Sequence, residues 1–138
     1  MKKLSLLPIF LLLLVAGASA QSDKPDYGEI DEIAGKKKVF LEAEDPFDLK
    51  KMKIALAKSD LVIVRTSADA DFFLEYKRLD VSHATSLNLE VVTGRLDAYY
   101  YREGQKVIVH SASKTAGMSG SPAGGLVKDL LKQLKIPQ

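Results

Sequence analysis

The chain has 138 residues, no cysteine and a formal net charge of +2 at pH 7, with 46% hydrophobic and 28% charged residues. This length fits one domain with a single core, and the missing cysteines exclude stabilisation by disulfides. Because Lys2 and Lys3 account for the whole charge excess, the rest of the chain is neutral and gives no sign of a nucleic-acid partner.

The first twenty residues have the features of a secretory signal peptide. Two lysines precede an apolar stretch from Leu6 to Val15, and Ala18-Ser19-Ala20 provides the small residues of a cleavage site. The apolar stretch is shorter than the ~20 residues that a membrane span requires. We therefore expect cleavage after Ala20, a periplasmic or secreted protein that does not span the membrane, and no lipid anchor, since no cysteine follows the cleavage site.

After this leader (1–20), residues 21–35 are predicted to form an N-terminal arm on a single domain that spans residues 36–138. The first strand of the domain is expected around Val39, after a run of three lysines. A helix is predicted from Asp45 onward, since Asp is a favoured N-cap and the following proline suits the first helical position. Its apolar stripe consists of Leu49, Met52 and Leu56.

Further strands are predicted from short apolar runs. Leu61–Val64 is continuously apolar and β-branched, which favours a central strand covered on both faces. A strand, a helix and a strand in this order indicate a right-handed crossover, so the strands near residues 39 and 63 are expected to run parallel. Phe72–Lys77 predicts the next strand, and residues 80–86 are expected to form a connection.

A long hairpin is predicted from Leu87–Tyr101 and Val107–Ser113, joined by a glycine-containing turn. Pairing Tyr101 with Lys106 gathers the apolar positions of both strands on one face. The same register places Asp97 opposite His110 on the other face. The chain then ends in a helix that is capped by Ser121, begins at Pro122 and carries a broad apolar stripe, comprising Leu126, Val127, Leu130, Leu131 and Leu134.

The predicted order β-α-β-β-β-β-α indicates an α+β fold, a two-layer α/β sandwich. Its mixed sheet is expected to be mostly antiparallel with one parallel pair, and both helices are expected on one face. The second face is then left for water or a partner.

Four residues of that second face are candidates for function. Tyr99 and Tyr101 offer the rigid amphipathic contact area that anchors interfaces, so we predict an exposed tyrosine pair with a binding role. Asp97 facing His110 has the composition of an oriented general base. The same pair also fits an ordinary cross-strand polar contact, and that interpretation is the simpler one.

Other motifs favour structural roles. Asp69 and Asp71 provide too few oxygens for calcium and fit a turn, and the isolated His83 and His110 do not predict a zinc site. Gly117–Pro122 lacks the Gly-Lys-Ser/Thr ending of a phosphate-binding loop. We therefore expect no metal and no cofactor.

The stretch from Ile54-Ala55-Leu56 through Leu61-Val62-Ile63-Val64 to Ala68-Asp69-Ala70-Asp71-Phe72-Phe73-Leu74 carries a recognisable pattern. It resembles the small α/β module of CsgG-like and LpoB-like envelope-assembly proteins and of the TolB amino-terminal domain. This resemblance implies a non-catalytic module that docks to other envelope proteins or polymers. The chain lacks the lipid-attachment cysteine, the propeller and the pore-forming insertion of these families, and no functional residue is carried over from them.

The function expected from these patterns is that of an exported, non-catalytic binding and assembly module of the bacterial cell envelope. Its expected partner is another envelope protein, bound by the open sheet face or by β-augmentation at an edge strand. Two alternatives remain open. One is a small hydrolase or transferase that uses Asp97 and His110, and the other is a carrier of a small apolar ligand in a cavity of about 300 Å³ or more.

Overall fold

The computed structural model describes residues 24–84, 89–117 and 120–138, so the predicted leader lies outside the described residues. These ranges contain strands β1 (Asp26–Tyr27), β2 (Lys38–Ala43), β3 (Val62–Ile63), β4 (Phe72–Ala84), β5 (Leu89–Arg102) and β6 (Gln105–Ala116). They also contain helices α1 (Pro46–Leu56) and α2 (Ala123–Gln133), with 3₁₀ turns at Ile30–Glu32 and Ser67–Asp69. The predicted α+β class and element order are confirmed.

The strands form one mixed sheet in the order β1-β6-β5-β4-β2-β3. The long strands β4, β5 and β6 pair antiparallel, as predicted. The predicted single parallel pair is wrong, because β2 pairs parallel with both β3 and β4, and β1 pairs parallel with β6. Part of the arm thus becomes an edge strand, which satisfies backbone groups that β6 would otherwise leave unpaired.

The prediction that Leu61–Val64 forms a central, doubly covered strand is wrong. Strand β3 contains only Val62 and Ile63, which are 55% and 36% exposed, and it lies at the sheet edge. Its predicted parallel alignment is confirmed, since Lys38 pairs with Val62. A short apolar run shows that a segment is extended but not which neighbours cover it.

The predicted cap of α1 is confirmed, and that of α2 is shifted by one residue. The Asp45 carboxylate accepts a hydrogen bond from the Phe47 amide at 2.8 Å. The N-cap of α2 is Pro122 and not the predicted Ser121, so the helix begins one residue later, at Ala123, although Ser121 Oγ still accepts a hydrogen bond from the Ala123 amide at 3.2 Å. The predicted apolar stripes form the core with the inner face of the sheet, including Met52, Leu56, Leu126, Val127, Leu130 and Leu131.

The two helices lie side by side on one face of the sheet and run in the same direction. Strands β2 and β6 are parallel to each other, and each is followed by a helix that packs back on the sheet. The helices approach closely at Gly124, where a Cβ would lie 3.4 Å from the Lys51 carbonyl oxygen of α1. Within the described residues, this arrangement leaves the opposite face of the sheet without helices.

The predicted connection at residues 80–86 is wrong for its first part, because β4 continues to Ala84. Asp80, Val81 and Ser82 pair with the β5 residues Thr93, Val92 and Val91, respectively. A bulge between Arg78 and Asp80 allows the strand to continue despite its irregular pattern of polar residues. Residues 85–88 lie outside the described residues.

Candidate functional site

A β-bulge separates the predicted Asp97–His110 pair. The predicted pairing of Tyr101 with Lys106 is confirmed, but the register shifts between Ala98 and Tyr99. Asp97 therefore lies opposite Ser111, and His110 lies opposite Ala98. The prediction that Asp97 faces His110 is wrong, because β6 contains one residue more than an unbroken ladder would place there.

Each member of this separated pair has other neighbours. Ser111 Oγ donates a hydrogen bond of 2.5 Å to the buried Asp97 carboxylate, which also lies 3.3 Å from Arg95 Nε. Burial lowers the pKa of His110, an effect that is opposed by Asp97 and by Gln133 and Asp129 of α2. His110 thus faces the helix layer, while Asp97 is bound by hydroxyl and guanidinium groups on the open face.

Four rings on the open face, Phe40, Phe73, Tyr99 and Tyr101, form a cluster that we call the aromatic patch. Phe73 and Tyr99 stack with centroids 5.0 Å apart and an angle of 9° between the rings. Tyr101 meets both rings edge-on, at 5.4 and 5.8 Å, and Phe40 meets Phe73 at 5.9 Å. Such pairs gain about 0.5–1.5 kcal/mol beyond the area they bury, so the patch is a preassembled, rigid surface.

The predicted exposed tyrosine pair is half correct. Tyr101 is 54% exposed, but Tyr99 is only 3% exposed, so the expectation that Tyr99 is exposed is wrong. Tyr99 is covered by Phe73 and Tyr101 and by Lys106, whose Nζ lies 4.0 Å from the ring centroid. Sequence reasoning missed Phe40 and Phe73, although their alternation with the core residues Leu41 and Leu74 indicates the open face.

A row of carboxylates borders the aromatic patch. Glu42, Glu75 and Asp97 occupy paired positions on β2, β4 and β5, respectively, so the row runs across three strands. The Tyr99 hydroxyl donates to Glu42 Oε1 at 3.0 Å. Glu75 Oε1 lies 3.4 Å from Lys77 Nζ and 4.0 Å from Lys106 Nζ. Aromatic, acidic and basic groups are thereby held side by side on one surface.

Burial and negative charge shift the pKa of Glu42 and of its hydrogen-bond donor Tyr99. Burial raises the pKa of Glu42, and the neighbouring Glu75 raises it further, whereas the hydrogen bond from Tyr99 and the charge of Lys106 lower it. Burial also raises the pKa of Tyr99, with the negative charge of Glu42 acting in the same direction. Tyr99 therefore stays a neutral hydrogen-bond donor to Glu42 at physiological pH.

A second polar cluster, which sequence reasoning missed, lies where the helix N-termini meet β4. Asp48 of α1 is 1% exposed and accepts hydrogen bonds from Arg78 Nε at 2.7 Å and from Ser121 Oγ at 2.6 Å. Burial, followed by the charge of Asp48, raises the pKa of the adjacent Tyr76 to about 12. These bonds connect α1, β4 and the start of α2, which identifies the cluster as a structural connection.

One edge of the sheet is open beyond the end of β2. The last β2–β4 pair joins Ala43 and Tyr76, and no described strand pairs with β4 on that side from Lys77 onward. Leu79 and Val81 in this part of β4 are 52% and 43% exposed. This edge is the location that β-augmentation would require.

The turn predicted around Asp69 and Asp71 is present. Asp69 accepts from Thr66 Oγ1 at 2.8 Å, and Asp71 accepts from the Lys38 amide at 3.1 Å. In the described ranges no three His, Cys, Asp or Glu residues are arranged to hold a metal ion. Part of the predicted Gly117–Pro122 loop, residues 118–119, lies outside the described residues.

No helix in the described part of the chain is long and apolar enough to cross a membrane. A groove of about 320 Å³ has the volume that the apolar-carrier alternative requires. Leu41, Ala43, Leu49 and Tyr76 line it together with Glu42, Glu44, Glu75 and Lys77, so an apolar ligand would lie against four charged residues. This lining does not favour an apolar ligand.

The chain was compared with protein families, curated proteins and solved structures. No family model and no curated protein matches it. A PelC dodecamer from Paraburkholderia phytofirmans is similar at 18% identity and a TM-score of 0.49, covering 76% of this chain and 91% of that one. A hypothetical protein from Chlamydia trachomatis aligns at 11% identity and a TM-score of 0.44, covering 73% and 94%. A minor lipoprotein from Acinetobacter baumannii aligns at 18% identity and a TM-score of 0.39, covering 74% and 97%. At these scores the alignments transfer no function.

Proposed function

We propose that this protein is an exported, non-catalytic binding module of the bacterial cell envelope that binds a protein partner through its open sheet face. The observation that carries this proposal is the aromatic patch, which neither α1 nor α2 covers. Tyr101 projects from it with 54% of its surface exposed. The leader features of residues 1–20 support the proposed export.

The contacts beneath Tyr101 support a role as a binding anchor. Its ring rests edge-on against Phe73 and Tyr99, so little side-chain entropy remains to be lost on binding. Lys106, Glu75 and Lys77 lie beside the patch and offer charged groups of both signs. An exposed aromatic anchor with a polar rim is the usual composition of a protein-binding hot spot.

Site-specific photo-crosslinking tests this proposal in the bacterium that makes the protein. A photoreactive phenylalanine analogue replaces Tyr101 in one strain and Ile54 in a control strain, since Ile54 is equally exposed but lies on the helix layer. We expect one defined protein adduct from position 101 and not from position 54. A third strain with the analogue at Val81 examines the open β4 edge.

Binding of the purified partner completes the test. We expect Tyr101→Ser to weaken binding by about tenfold or more, as is typical of a hot spot, and Ile54→Ser to leave it unchanged. An adduct from position 81 alone would replace the open face with edge pairing as the binding mode. Absence of any adduct from positions 81 and 101 would refute a protein partner at the sheet.

The proposal that the protein is non-catalytic has its own test. A panel of ester, peptide and glycoside substrates is incubated with the wild-type protein and with His110→Asn. We expect no turnover by either protein. Turnover that disappears in His110→Asn would instead support the hydrolase alternative.

A further inference from the structure

The outer surface of the helix layer is basic, although the chain beyond its predicted leader is formally neutral. Segments 46–58 and 123–135 contain two aspartates, no arginine and no glutamate, together with the lysines Lys50, Lys51, Lys53, Lys58, Lys128, Lys132 and Lys135. Neither aspartate neutralises them, because Asp48 is buried against Arg78 and Asp129 lies 3.3 Å from Lys114 of β6. Positive charge is therefore concentrated on this layer.

Two large apolar side chains are exposed within this basic surface. Phe47 and Ile54 of α1 are 44% and 56% exposed and lie seven residues apart, which places them on one side of the helix. Lys51 stands between them, with its Nζ 5.2 Å from the centroid of the Phe47 ring. Helices that lie at membrane surfaces combine lysines with aromatic and aliphatic side chains that enter the headgroup region.

A groove between the helices completes the surface. Its volume is about 440 Å³, and it is lined by Phe47, Lys51 and Ile54 of α1 and by Gly124, Gly125 and Lys128 of α2, among others. The two glycines have no side chains, so the α2 wall is low and the groove opens outward. Lysines therefore flank an apolar depression from both helices.

We propose that the helix layer docks on an anionic phospholipid surface. Phe47 and Ile54 insert at the level of the headgroups, and the surrounding lysines bind lipid phosphates. Charge complementarity identifies the occupant, because this layer has an excess of cations that the described residues do not neutralise. The two exposed apolar groups favour a lipid surface over an acidic polysaccharide, since a polar polymer would leave them in water.

This inference goes beyond the proposed function and does not depend on it. The aromatic patch and the helix layer lie on opposite faces of the sheet, so a protein docked by its helices leaves Tyr101 accessible. Loss of one binding activity would therefore leave the other intact, and the two proposals can fail separately.

Vesicle flotation tests the inference. The protein is purified from the periplasm of an expressing strain, and its N-terminus is established by mass. It is mixed with vesicles of phosphatidylcholine that contain or lack phosphatidylglycerol. We expect partition into the anionic vesicles only, and release as the salt concentration rises and screens the lysines.

Matched variants locate the surface. We expect Lys51→Gln and Lys128→Gln each to lower the partition coefficient about fivefold, the size typical of one lysine near an anionic membrane. Phe47→Ser with Ile54→Ser should lower it about tenfold or more, because inserted apolar surface returns to water. Lys77→Gln and Tyr101→Ser on the open face serve as controls and should have no effect. Thermal unfolding of each variant confirms that it is folded.

Three outcomes would overturn the inference. The first is the absence of partition into anionic vesicles by the folded wild-type protein. The second is a lack of specificity, seen either as equal partition into neutral and anionic vesicles or as a loss of partition in the open-face controls that equals the loss in the helix-layer variants. The third is binding to an anionic polysaccharide such as alginate that depends on the lysines but not on Phe47 and Ile54, which would make an acidic polymer the ligand.

Discussion

Asp48 shows how one residue can connect several elements of this fold. Its carboxylate lies in the first turn of α1, where the helix dipole favours negative charge, and it is almost completely buried. Arg78 and Ser121 both donate hydrogen bonds to it, so its charge is paired and its oxygens are occupied. Removing the carboxylate leaves the half-buried guanidinium of Arg78 without its main partner.

We therefore predict that Asp48→Ala lowers the free energy of unfolding by about 1–3 kcal/mol, the loss typical when a buried hydrogen-bond acceptor is removed from its donors. Urea denaturation followed by circular dichroism measures this change. The control is Asp60→Ala, which breaks an exposed ion pair with Lys37 and should leave the urea midpoint nearly unchanged. Equal losses in the two variants would contradict a special role for Asp48.

Glu42, on the open face, makes the stability of the folded protein depend on pH. Burial and Glu75 raise its pKa in the folded protein above the ordinary value of 4.5, despite the opposing Tyr99 and Lys106. The folded state therefore holds this proton more tightly than the unfolded state does. The contribution of Glu42 to the free energy of unfolding is therefore most favourable below about pH 4.5, and it is lost as the pH rises through the raised pKa.

Glu42→Gln should remove this dependence. We predict that the stability difference between Glu42→Gln and the wild type increases in favour of the variant as the pH rises from 4 to 7. Glu44→Gln changes an exposed neighbour and is the control. Its stability difference from the wild type should not change with pH. Urea midpoints measured at several pH values provide the comparison, and a flat profile for Glu42→Gln would refute the raised pKa.

At the scale of elements, close backbone approach explains a glycine in the middle of β5. The Tyr76 ring of β4 packs directly over Gly94, where a Cβ would lie 2.1 Å from the Tyr76 hydroxyl oxygen and 2.4 Å from two ring carbons. Tyr76 is itself buried at 2% exposure, so the ring has little room to move. The position therefore requires a residue without a side chain.

We predict that Gly94→Ala lowers the free energy of unfolding by about 1–3 kcal/mol, the usual cost of overpacking. Gly117→Ala is the matched control, since no atom of the described residues lies within 4 Å of the added Cβ there. Differential scanning calorimetry of both variants measures the effect. A wild-type melting temperature in Gly94→Ala would contradict the tight packing of Tyr76.

Because β3 lies at the sheet edge, it should tolerate a charged substitution that the adjacent β2 does not. Val62→Lys should change the free energy of unfolding by about 0.5 kcal/mol or less, because the side chain already faces solvent. In contrast, Val39→Lys on the adjacent β2 places a charge at a position with 0% exposure and should unfold much of the protein. Urea denaturation distinguishes the two, and a large loss in Val62→Lys would restore a central position for β3.

At the scale of the whole molecule, the two layers present surfaces of different chemistry. The sheet face combines aromatic rings with the carboxylates of Glu42, Glu75 and Asp97, whereas the helix face combines lysines with Phe47 and Ile54. A protein of this construction is suited to hold a partner near an anionic membrane. This combined role follows only if both binding proposals hold.

Substitutions on the two faces should act independently. We predict that the changes in unfolding free energy caused by Tyr101→Ser and Ile54→Ser add within about 0.5 kcal/mol in the double variant, since the sheet separates them. Each single variant should lose only its own binding activity, in crosslinking or in flotation. A deviation from additivity clearly above this limit would show that the two faces are energetically coupled.

The amino-acid sequence was sufficient for features that depend on neighbouring residues along the chain. The cap at Asp45, the stripe of Met52 and Leu56 and the pairing next to the Glu103-Gly104 turn were all predicted correctly. These features depend on hydrogen bonds and side-chain spacing within a few residues. At the turn, the positive φ values of both residues, 53° and 77°, suit the two-residue hairpin loop that sets the local register.

Contacts between distant segments produced the features that the sequence did not reveal. The edge position of β3, the stacking of Phe73 on Tyr99 and the partners of Asp48 each depend on residues more than ten positions away. The bulge that separates Asp97 from His110 depends on how β5 and β6 pair. Within the candidate site, Tyr101 was identified from its alternation, while Phe40 and Phe73 joined it through strand pairing. Periodicity along a strand indicates which face a side chain occupies, but burial depends on which strands become neighbours, and long-range packing determines that choice.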